Sequence, residues 1–348
     1  MAASSTWTVL IVALMQLFGD VISAPVIRAP WGTIRGVEVQ GRDDRKMSGY
    51  LGIPFALPPT GKLRWQKPQP HPGPGEGKVF GPPPCYRPVL RKSHGWGCTT
   101  GTSEDCLTLN VFVPIGDDVT SGTLKPVMVW IHGGGFRVGD AASYRPTKLV
   151  ADNDVIVVTI QYRLGVFGFL STGDATAPGN YGLWDQRLAL VWVKDNIRAF
   201  GGDPDLVTIF GESAGAISIG IHVISPASNG LFQRVITQSG SPYMQRCFPE
   251  NYSNKIKELA SALGCSSDPG TSFTTMLDCL RGKSVEELTH AETILSQTHN
   301  TDFVFMPRVD GELLLDNPGR LMADEVHMAL ANVGKVDILN GLMIRRGQ

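Results

Sequence analysis

A serine stands between two glycines in FGESAGA, the segment from Phe210 to Ala216. A serine hydroxyl becomes a useful nucleophile for acyl transfer when a sharp strand-to-helix turn exposes it. Gly211 and Gly215 lack the side chains that would collide with neighbouring backbone at such a turn. The hydroxyl would also lie at a helix N-terminus, where partial positive charge favours an oxyanion. The pattern therefore predicts that Ser213 is a nucleophile.

A second glycine-rich segment, HGGGF from His132 to Phe136, follows an apolar run. Acyl transfer passes through a tetrahedral intermediate, and hydrogen-bond donors must be placed where its oxyanion forms. Residues without side chains let backbone N–H groups approach closely, and Ala214, directly after the serine, would supply one more donor. The segment predicts an oxyanion-binding loop, and a simple tight turn is the alternative.

The elements that would position these segments are apolar runs alternating with helical periodicity. We predict four strands and one helix, within Pro126–Phe136, Asp154–Gly165, Leu206–Phe210, Arg234–Gly240 and, for the helix, Gly182–Gly202. Near-continuous apolar runs are typical of strands that are covered on both faces. The alternation predicts an α/β fold with a mostly parallel central sheet flanked by helices.

The regions on either side of this core have other patterns. Residues 25–60 are predicted to form a small β region and residues 250–300 to be helical, with no linker between the parts, so a single domain is expected. A length of 348 residues, 42% hydrophobic content and a net charge of −1 fit a globular protein. That charge favours neither nucleic acid nor an anionic membrane as a partner.

The N-terminus is predicted to be an export signal. The apolar stretch from Thr6 to Phe18 is short for a membrane span, and cleavage is expected after Ser23 or Ala24. No Lys or Arg precedes the stretch, and a membrane anchor or a buried helix is the alternative. We therefore expect a signal peptide over residues 1–23, a mature domain over residues 24–348, and a secreted protein.

Six cysteines agree with an oxidising compartment. Local spacing favours a small loop closed by Cys265 and Cys279, and either Cys85 or Cys98 could pair with Cys106. A zinc site would need closely spaced ligands, and the sequence contains no C-x-x-C or H-x-x-x-H cluster. We expect neither a metal nor a cofactor.

The chain resembles the type-B carboxylesterase/cholinesterase family of the α/β-hydrolase superfamily, which also includes bile-salt-activated lipases. The matching stretches span roughly residues 26–240 and are GIPFALPPTGKLRW, SEDCLTLNVFVP, PVMVWIHGGGF, QYRLGVFGFL, PGNYGLWDQRLALVWVKDNIRAFGGDPDLVTIFGESAGA and LFQRVITQSGS. The resemblance implies an α/β-hydrolase fold, secretion, disulfides and a small-molecule ester as substrate. Members of the family are longer, so the chain is expected to hold the N-terminal two-thirds of the domain, with the fold incomplete at the C-terminus.

The resemblance also implies roles for particular residues. Ser213 would be the nucleophile, Gly134, Gly135 and Ala214 would donate to the oxyanion, and Glu212 would be a supporting carboxylate near the site. Capping of the following helix is the alternative role for Glu212.

The disulfides implied by the resemblance are Cys85–Cys106 and Cys265–Cys279, which leaves Cys98 and Cys247 unassigned. Asn251, in the only N-x-[ST] sequon, is predicted to carry a surface glycan.

The acid and the histidine base that would activate Ser213 do not stand where the family's motifs place them. The family's acid lies in a segment resembling G-x-N-x-x-E-G, and Arg346 stands where that glutamate is expected. His132 precedes the serine, whereas this fold orders its triad as serine, acid and histidine. Four histidines follow Ser213, and none is succeeded by the sheet elements that normally hold the base: His222, His290, His299 and His327. We predict that the chain as written lacks the acid and base, and hence a working triad.

Two residues bear on the substrate. Trp96 resembles in position a cholinesterase tryptophan that contacts a quaternary ammonium, and a loop tryptophan is its alternative. Arg137 stands where cholinesterases place a tyrosine, and an arginine there is expected to repel choline. We therefore predict a secreted serine carboxylic-ester hydrolase acting through an acyl-enzyme, without an indication of its oligomeric state. The alternatives are a non-catalytic esterase-like binding or adhesion protein and a cholinesterase-like enzyme.

Overall fold

A computed structural model of the protein describes residues 26–40, 45–73, 79–80, 103–115, 123–243 and 252–342. Several residues named above lie outside these ranges: the signal segment 1–23, Cys85, Trp96, Cys98, Cys247, Asn251 and Arg346.

The described residues form two sheets, one of three strands and one of eight. The strands are β1 (Val26–Ala29), β2 (Gly32–Arg35), β3 (Val37–Gln40), β4 (Lys46–Pro54), β5 (Val79–Phe80), β6 (Thr108–Pro114), β7 (Lys125–Ile131), β8 (Ile156–Ile160), β9 (Gly202–Glu212), β10 (Arg234–Gln238) and β11 (Asp337–Gly341). The small sheet has the order β1-β2-β5, and the large sheet has the order β11-β10-β9-β7-β8-β6-β4-β3.

Five neighbouring strands of the large sheet, from β11 to β8, are parallel. All five residues of β8 are buried, as expected for a strand covered on both faces. In the centre, Val129 of β7 pairs with Val158 of β8 on one side and with Ile209 of β9 on the other. All four predicted strands are present, and the prediction of an α/β fold with a mostly parallel sheet is confirmed.

The N-terminal β region divides between the two sheets. Strands β1 and β2 pair antiparallel in the small sheet. In the large sheet β4 pairs antiparallel with β6, and β3 pairs antiparallel with β4. Register shifts between Tyr50 and Ile53, where β4 pairs with β6. Such an irregularity bends the edge of a sheet and increases its twist.

Nine α-helices lie within the described ranges. They are α1 (Thr147–Asn153), α2 (Gly165–Phe169), α3 (Tyr181–Asn196), α4 (Ala214–Ile224), α5 (Tyr252–Ala262), α6 (Phe273–Arg281), α7 (Val285–Thr298), α8 (Pro318–Ala323) and α9 (Glu325–Leu330). Short 3₁₀ turns occur at Gly61–Leu63, Ala141–Ser143, Ile197–Phe200 and Pro226–Ser228. Helix α3 occupies most of the predicted Gly182–Gly202 segment, and α5, α6 and α7 confirm the predicted helical region. None of the helices in the described part of the chain is both long and apolar enough to span a bilayer.

Helix α4 is buried along almost its whole length and packs against β9 and β10. Its sequence, AGAISIGIHVI, is apolar around most of its circumference, which is typical of a helix enclosed by a core. The small residues of its first turn let the helix start close to the sheet. The helix therefore fixes the direction in which the chain leaves β9.

A disulfide joins Cys265, after α5, to Cys279 in α6, which confirms that predicted pair. Cys106 is buried and has no disulfide partner among the described residues. Its predicted partner, Cys85, lies outside those ranges, so the second disulfide remains a prediction.

Candidate active site

Ser213 occupies the turn between β9 and α4, with φ 54° and ψ −118°. Positive φ is unfavourable for a residue with a side chain, and such conformations persist only where the surrounding structure enforces them. The Ser213 N–H donates to the Gln238 carbonyl at 2.9 Å, and the Ser213 carbonyl accepts from the Ile217 N–H at 2.9 Å. These two hydrogen bonds hold the strained residue between β10 and the first turn of α4.

The glycines beside the serine are required by close backbone packing. A Cβ on Gly211 would lie 2.5 Å from the Ile131 carbonyl oxygen, and one on Gly215 would lie 2.1 Å from the same atom. On the other side, a Cβ on Gly240 would lie 2.3 Å from the Ser213 carbonyl oxygen. A side chain at Gly211 or Gly215 would therefore collide with the end of β7, as the G-x-S-x-G pattern predicts.

The glycine loop after β7 lies beside this turn. Gly134 has φ 110°, and a Cβ on it would lie 2.0 Å from the Val138 carbonyl oxygen, so only glycine fits. The Gly134 carbonyl accepts from the N–H groups of Arg137 and Val138, at 3.1 and 3.0 Å, which closes a tight turn. Within the described ranges, the N–H groups of Gly134, Gly135 and Ala214 have no hydrogen-bond acceptor. These three donors are available to a ligand.

His132 is a buried structural residue. Its ring stacks on Tyr162 with centroids 4.4 Å apart, and the Tyr162 hydroxyl donates to the His132 carbonyl at 2.7 Å. Nδ1 is 2.8 Å from the Gly133 carbonyl oxygen. Burial lowers the pKa of the imidazole to about 4, while the Gly133 hydrogen bond and Asp140 act in the opposite direction. His132 therefore fixes the start of the glycine loop and is not placed as a base for Ser213.

Glu212 is exposed, and its carboxylate lies over the glycine loop. A Cβ on Gly133 would lie 2.9 Å from Glu212 Oε2 and 3.3 Å from the Ser213 Cβ. In the described structure the carboxylate accepts no hydrogen bond from the first turn of α4, so the capping alternative has no geometric support. Glu212 also contributes, after burial, to the raised pKa of Tyr144.

A cleft of about 500 Å³ adjoins the glycine loop. Its lining comprises Gly134, Gly135, Arg137, Val138, Thr293, Asp302 and Phe303. The Phe303 ring approaches the loop closely, because a Cβ on Gly135 would lie 3.3 Å from Phe303 Cε1. The Arg137 guanidinium forms an ion pair with Asp302. A carboxylate therefore compensates the charge that was expected to repel choline, so that argument against a choline ester does not hold as stated.

The sequence comparisons agree with this geometry. The sequence model of the carboxylesterase family matches residues 23–343. The chain belongs to the carboxylesterase family. It is 42% identical over 310 residues to chicken (Gallus gallus) acetylcholinesterase, covering 84% of this chain and 40% of that protein. It is 37% identical over 341 residues to mouse (Mus musculus) carboxylesterase 1F, covering 92% and 60% of the two chains. It is 42% identical over 316 residues to human (Homo sapiens) carboxylesterase 3, covering 86% and 54%. The chain thus spans about half the length of these curated relatives.

Four histidines follow Ser213 in this carboxylesterase-family chain, and none contacts it. His222 is buried in α4, with Ser228 Oγ 2.9 Å from Nδ1 and Gln186 Oε1 3.1 Å from Nε2. Burial, followed by the charge of Arg187, lowers its pKa to about 3.

The other three histidines lie on the helical segments that follow. His299 Nε2 is 2.5 Å from Glu258 Oε2, and His327 Nε2 is 2.7 Å from the Ile224 carbonyl oxygen. His290 is exposed on α7. Within the described ranges the Ser213 hydroxyl has neither a histidine nor another hydrogen-bond partner.

A buried carboxyl group that no sequence pattern indicated lies close to the glycine loop. Glu292 of α7 is 1% exposed, and its Oε2 accepts a hydrogen bond from the Val166 N–H at 3.2 Å. Burial raises its pKa to about 7, while the Val166 hydrogen bond and Arg137 act to lower it. Gly165, which the carboxylate contacts, donates its N–H to the Phe136 carbonyl at 2.7 Å and so supports the loop. A glutamate on an amphipathic helix gives no sequence signal of such burial.

Asp302 and Phe303 were also missed as cleft residues. They belong to a segment after α7 without a recognisable motif, and they are more than 160 residues from the glycine loop in sequence. They follow α7, which packs against α2.

Proposed function

We propose that this protein is a secreted serine carboxylic-ester hydrolase that acts on a small-molecule ester through an acyl-enzyme. The observation that carries the proposal is the strained Ser213 at the turn from β9 to α4, beside a glycine loop with unpaired N–H groups. A strained backbone conformation lowers the stability of the fold. Residues in such conformations cluster at active sites, where the strain is part of the mechanism. Family membership and the 42% identity to human carboxylesterase 3 support the same reaction class.

In the proposed reaction, Ser213 Oγ attacks the carbonyl carbon of the ester. The carbonyl oxygen becomes an oxyanion that accepts hydrogen bonds from Gly134, Gly135 and Ala214. Collapse of this intermediate expels the alcohol and leaves the acyl group on Ser213. Water then attacks the acyl-enzyme, which releases the carboxylic acid and restores the hydroxyl. Removing one donor of such a hole typically lowers kcat about 100- to 1,000-fold.

Proton transfer needs a base that the described residues do not place at Ser213. We propose that a histidine and an acid come from sequence that follows residue 348 in a longer form of the protein. The relatives support this proposal, since the chain covers only 60% of mouse carboxylesterase 1F. Without a base the serine is weakly activated, and only the acceleration from the oxyanion hole and from binding remains. The 348-residue chain is accordingly proposed to have little activity by itself.

We propose secretion or residence in the endoplasmic reticulum lumen, with a signal peptide over residues 1–23 and a mature domain over residues 24–348. The Cys265–Cys279 disulfide supports this proposal because disulfides persist in oxidising compartments. A glycan on Asn251 would follow from the same route.

A second function, binding without catalysis, is favoured by one observation. None of the histidines after Ser213 lies near its hydroxyl, and the ring nitrogens of His222 and His327 are engaged elsewhere in the core. A binding protein would not require the strained serine, so the hydrolase is the first choice.

The experiment that separates the two begins with the transcript. Sequencing it past the codon for Gln348 tests for the proposed longer chain, which is then expressed beside the 348-residue chain and the Ser213→Ala variant of each. The longer chain should release nitrophenol from nitrophenyl butyrate in a stoichiometric burst, which its Ser213→Ala variant lacks. A longer chain that contains a new histidine but shows no burst would favour the binding protein.

A further inference from the structure

An ion pair crosses the cleft beside the glycine loop. Arg137 directly follows the HGGGF segment, and Asp302 belongs to the segment after α7. Both residues line the cleft of about 500 Å³ and an adjoining polar cavity of about 340 Å³. The Arg137 side chain is 21% exposed, so the guanidinium lies mostly within the protein. Gly134 and Gly135 line the same cleft, so an ester substituent that enters the cleft from the glycine loop lies beside this pair.

The backbone on both sides of the ion pair is held by hydrogen bonds. The Arg137 N–H donates to the Gly134 carbonyl at 3.1 Å within the tight turn. On the opposite side, the Thr301 N–H donates to the Ser296 carbonyl at 3.0 Å, and Ser296 Oγ donates to the Thr301 carbonyl at 2.6 Å. Asp302 follows this anchored threonine directly. These bonds fix the backbone from which each charged side chain extends, while the Asp302 side chain itself is 80% exposed.

The electrostatic effect of the pair is to neutralise the cleft. A guanidinium is a strong bidentate receptor for carboxylates, and a partly buried one would attract an anionic ligand. Asp302 is the carboxylate that pairs with Arg137 in the described structure. The other cleft residues, Val138, Thr293 and Phe303, carry no charge. Glu292, buried on α7, is a further titratable group near the pair, and the charge of Arg137 acts to lower its pKa against the effect of burial.

We propose that Asp302 is a specificity-determining residue that occupies Arg137 and thereby reserves the cleft for an uncharged ester substituent. This inference rests on the ester-hydrolase function proposed above and names the class of ester. A substituent that carries a carboxylate is repelled by Asp302 and finds the guanidinium already paired. Rejection by an unfavourable charge is a common means of specificity.

The test is an equilibrium binding experiment in a Ser213→Ala background, where no ester bond is broken. The ligands are dimethyl succinate, which is neutral, and monomethyl succinate, which differs from it by one carboxylate. Their dissociation constants are measured by ligand-observed NMR titration. The Ser213→Ala protein should bind the neutral diester about tenfold more tightly or better, and adding Asp302→Asn should raise the affinity for the monoester about tenfold. Affinity for the diester should remain within about twofold, since it makes no charge-assisted contact.

Two further variants act as controls. Adding Arg137→Met to Asp302→Asn should abolish the increase in affinity for monomethyl succinate, because the guanidinium freed by Asp302→Asn causes that increase. Asp316→Asn removes the same charge from a residue that lines neither cavity and pairs with Arg320, and it should leave both affinities unchanged.

Three results would overturn the inference: no measurable binding of dimethyl succinate, an unchanged affinity ratio in Asp302→Asn, or a gain that survives Arg137→Met. A chain that binds as expected but never acylates Ser213 would contradict the hydrolase function alone, so the two failures are distinguishable.

Discussion

The side chain of Glu212 lies directly over the backbone of Gly133. A Cβ on Gly133 would lie 2.5 Å from the Glu212 carbonyl oxygen and 2.9 Å from Oε2. The loop that would bind the oxyanion and the residue next to the nucleophile are thus in contact without an intervening side chain. Their packing sets the distance between the loop and Ser213.

Gly133→Ala tests this contact. The added methyl group meets backbone atoms on one side and the Ser213 Cβ on the other, so the loop and the serine turn must separate. Overpacking of this kind costs about 1–3 kcal/mol, and we expect the free energy of unfolding, measured in urea, to fall by that amount.

Gly341→Ala is the matched control because a Cβ there has no neighbour within 4 Å. It should change the free energy of unfolding by less than about 0.5 kcal/mol. If both variants lost the same free energy of unfolding, the loss in Gly133→Ala would not come from the Glu212–Gly133 contact.

The Cys265–Cys279 disulfide is expected to stabilise the segment that carries α5 and α6. It closes a loop with a sequence separation of 14. In the chain-entropy model a loop of this size contributes about 3 kcal/mol, mainly by restricting the unfolded chain. The Cys265→Ser/Cys279→Ser variant should lose that amount in guanidinium-induced unfolding. A loss below about 1 kcal/mol would contradict the expectation.

Glu292 should make stability fall as the pH rises. Burial raises its folded-state pKa from 4.5 to about 7, so between these values the folded protein keeps a proton that the unfolded chain has released. Stability contributed by the protonated form is therefore present below about pH 4.5 and is lost as the pH rises through about 7. At about 1.4 kcal/mol per pKa unit, the loss is on the order of 3 kcal/mol.

The Glu292→Gln variant should lack this pH-dependent component when urea unfolding is followed from pH 4.5 to pH 8. Glu286→Gln makes the same chemical change on an exposed residue of the same helix. This variant should keep the pH-dependent component of stability. Identical pH profiles for the parent chain and Glu292→Gln would show that folding does not raise the pKa of Glu292.

The edge of the large sheet is expected to promote self-association. Within the described residues β11 is the terminal strand of this sheet, its five residues are exposed, and Leu339 is 63% exposed. An apolar exposed edge can pair with another chain, and a lysine on such a strand discourages pairing. Leu339→Lys should therefore slow concentration-dependent growth of light scattering. Leu330→Lys, at a similarly exposed leucine of α9, should have a smaller effect. An equal effect would point to general solubility instead of edge pairing.

The central part of the fold could be predicted from local sequence patterns. Continuous apolar runs identified β7, β8, β9 and β10, because strands covered on both faces contain few polar residues. The glycines of FGESAGA and HGGGF identified the turns, since close backbone approach excludes a Cβ there.

The rest depended on contacts between distant residues. Strand β6 and the edge strand β11 were not predicted, and the joining of β3 and β4 to the large sheet was not foreseen. Likewise, no local pattern indicates that Asp302 pairs with Arg137 or that Glu292 is buried. These features arise when α7 packs against α2, and sequence periodicity describes the face of a helix but not its partner.

The central proposal is that Ser213 is placed to act as a nucleophile and that none of the described residues lies close enough to its hydroxyl to act as its base. The most direct measurement is covalent labelling with a fluorophosphonate, followed by mass spectrometry of the peptide that contains Ser213. We predict an adduct on Ser213 that forms slowly, over hours, and is absent from Ser213→Ala. Rapid stoichiometric labelling would contradict the account, because it would require an activating base that the described structure does not place there. An adduct on another residue, with Ser213 unmodified, would contradict the assignment of the nucleophile itself.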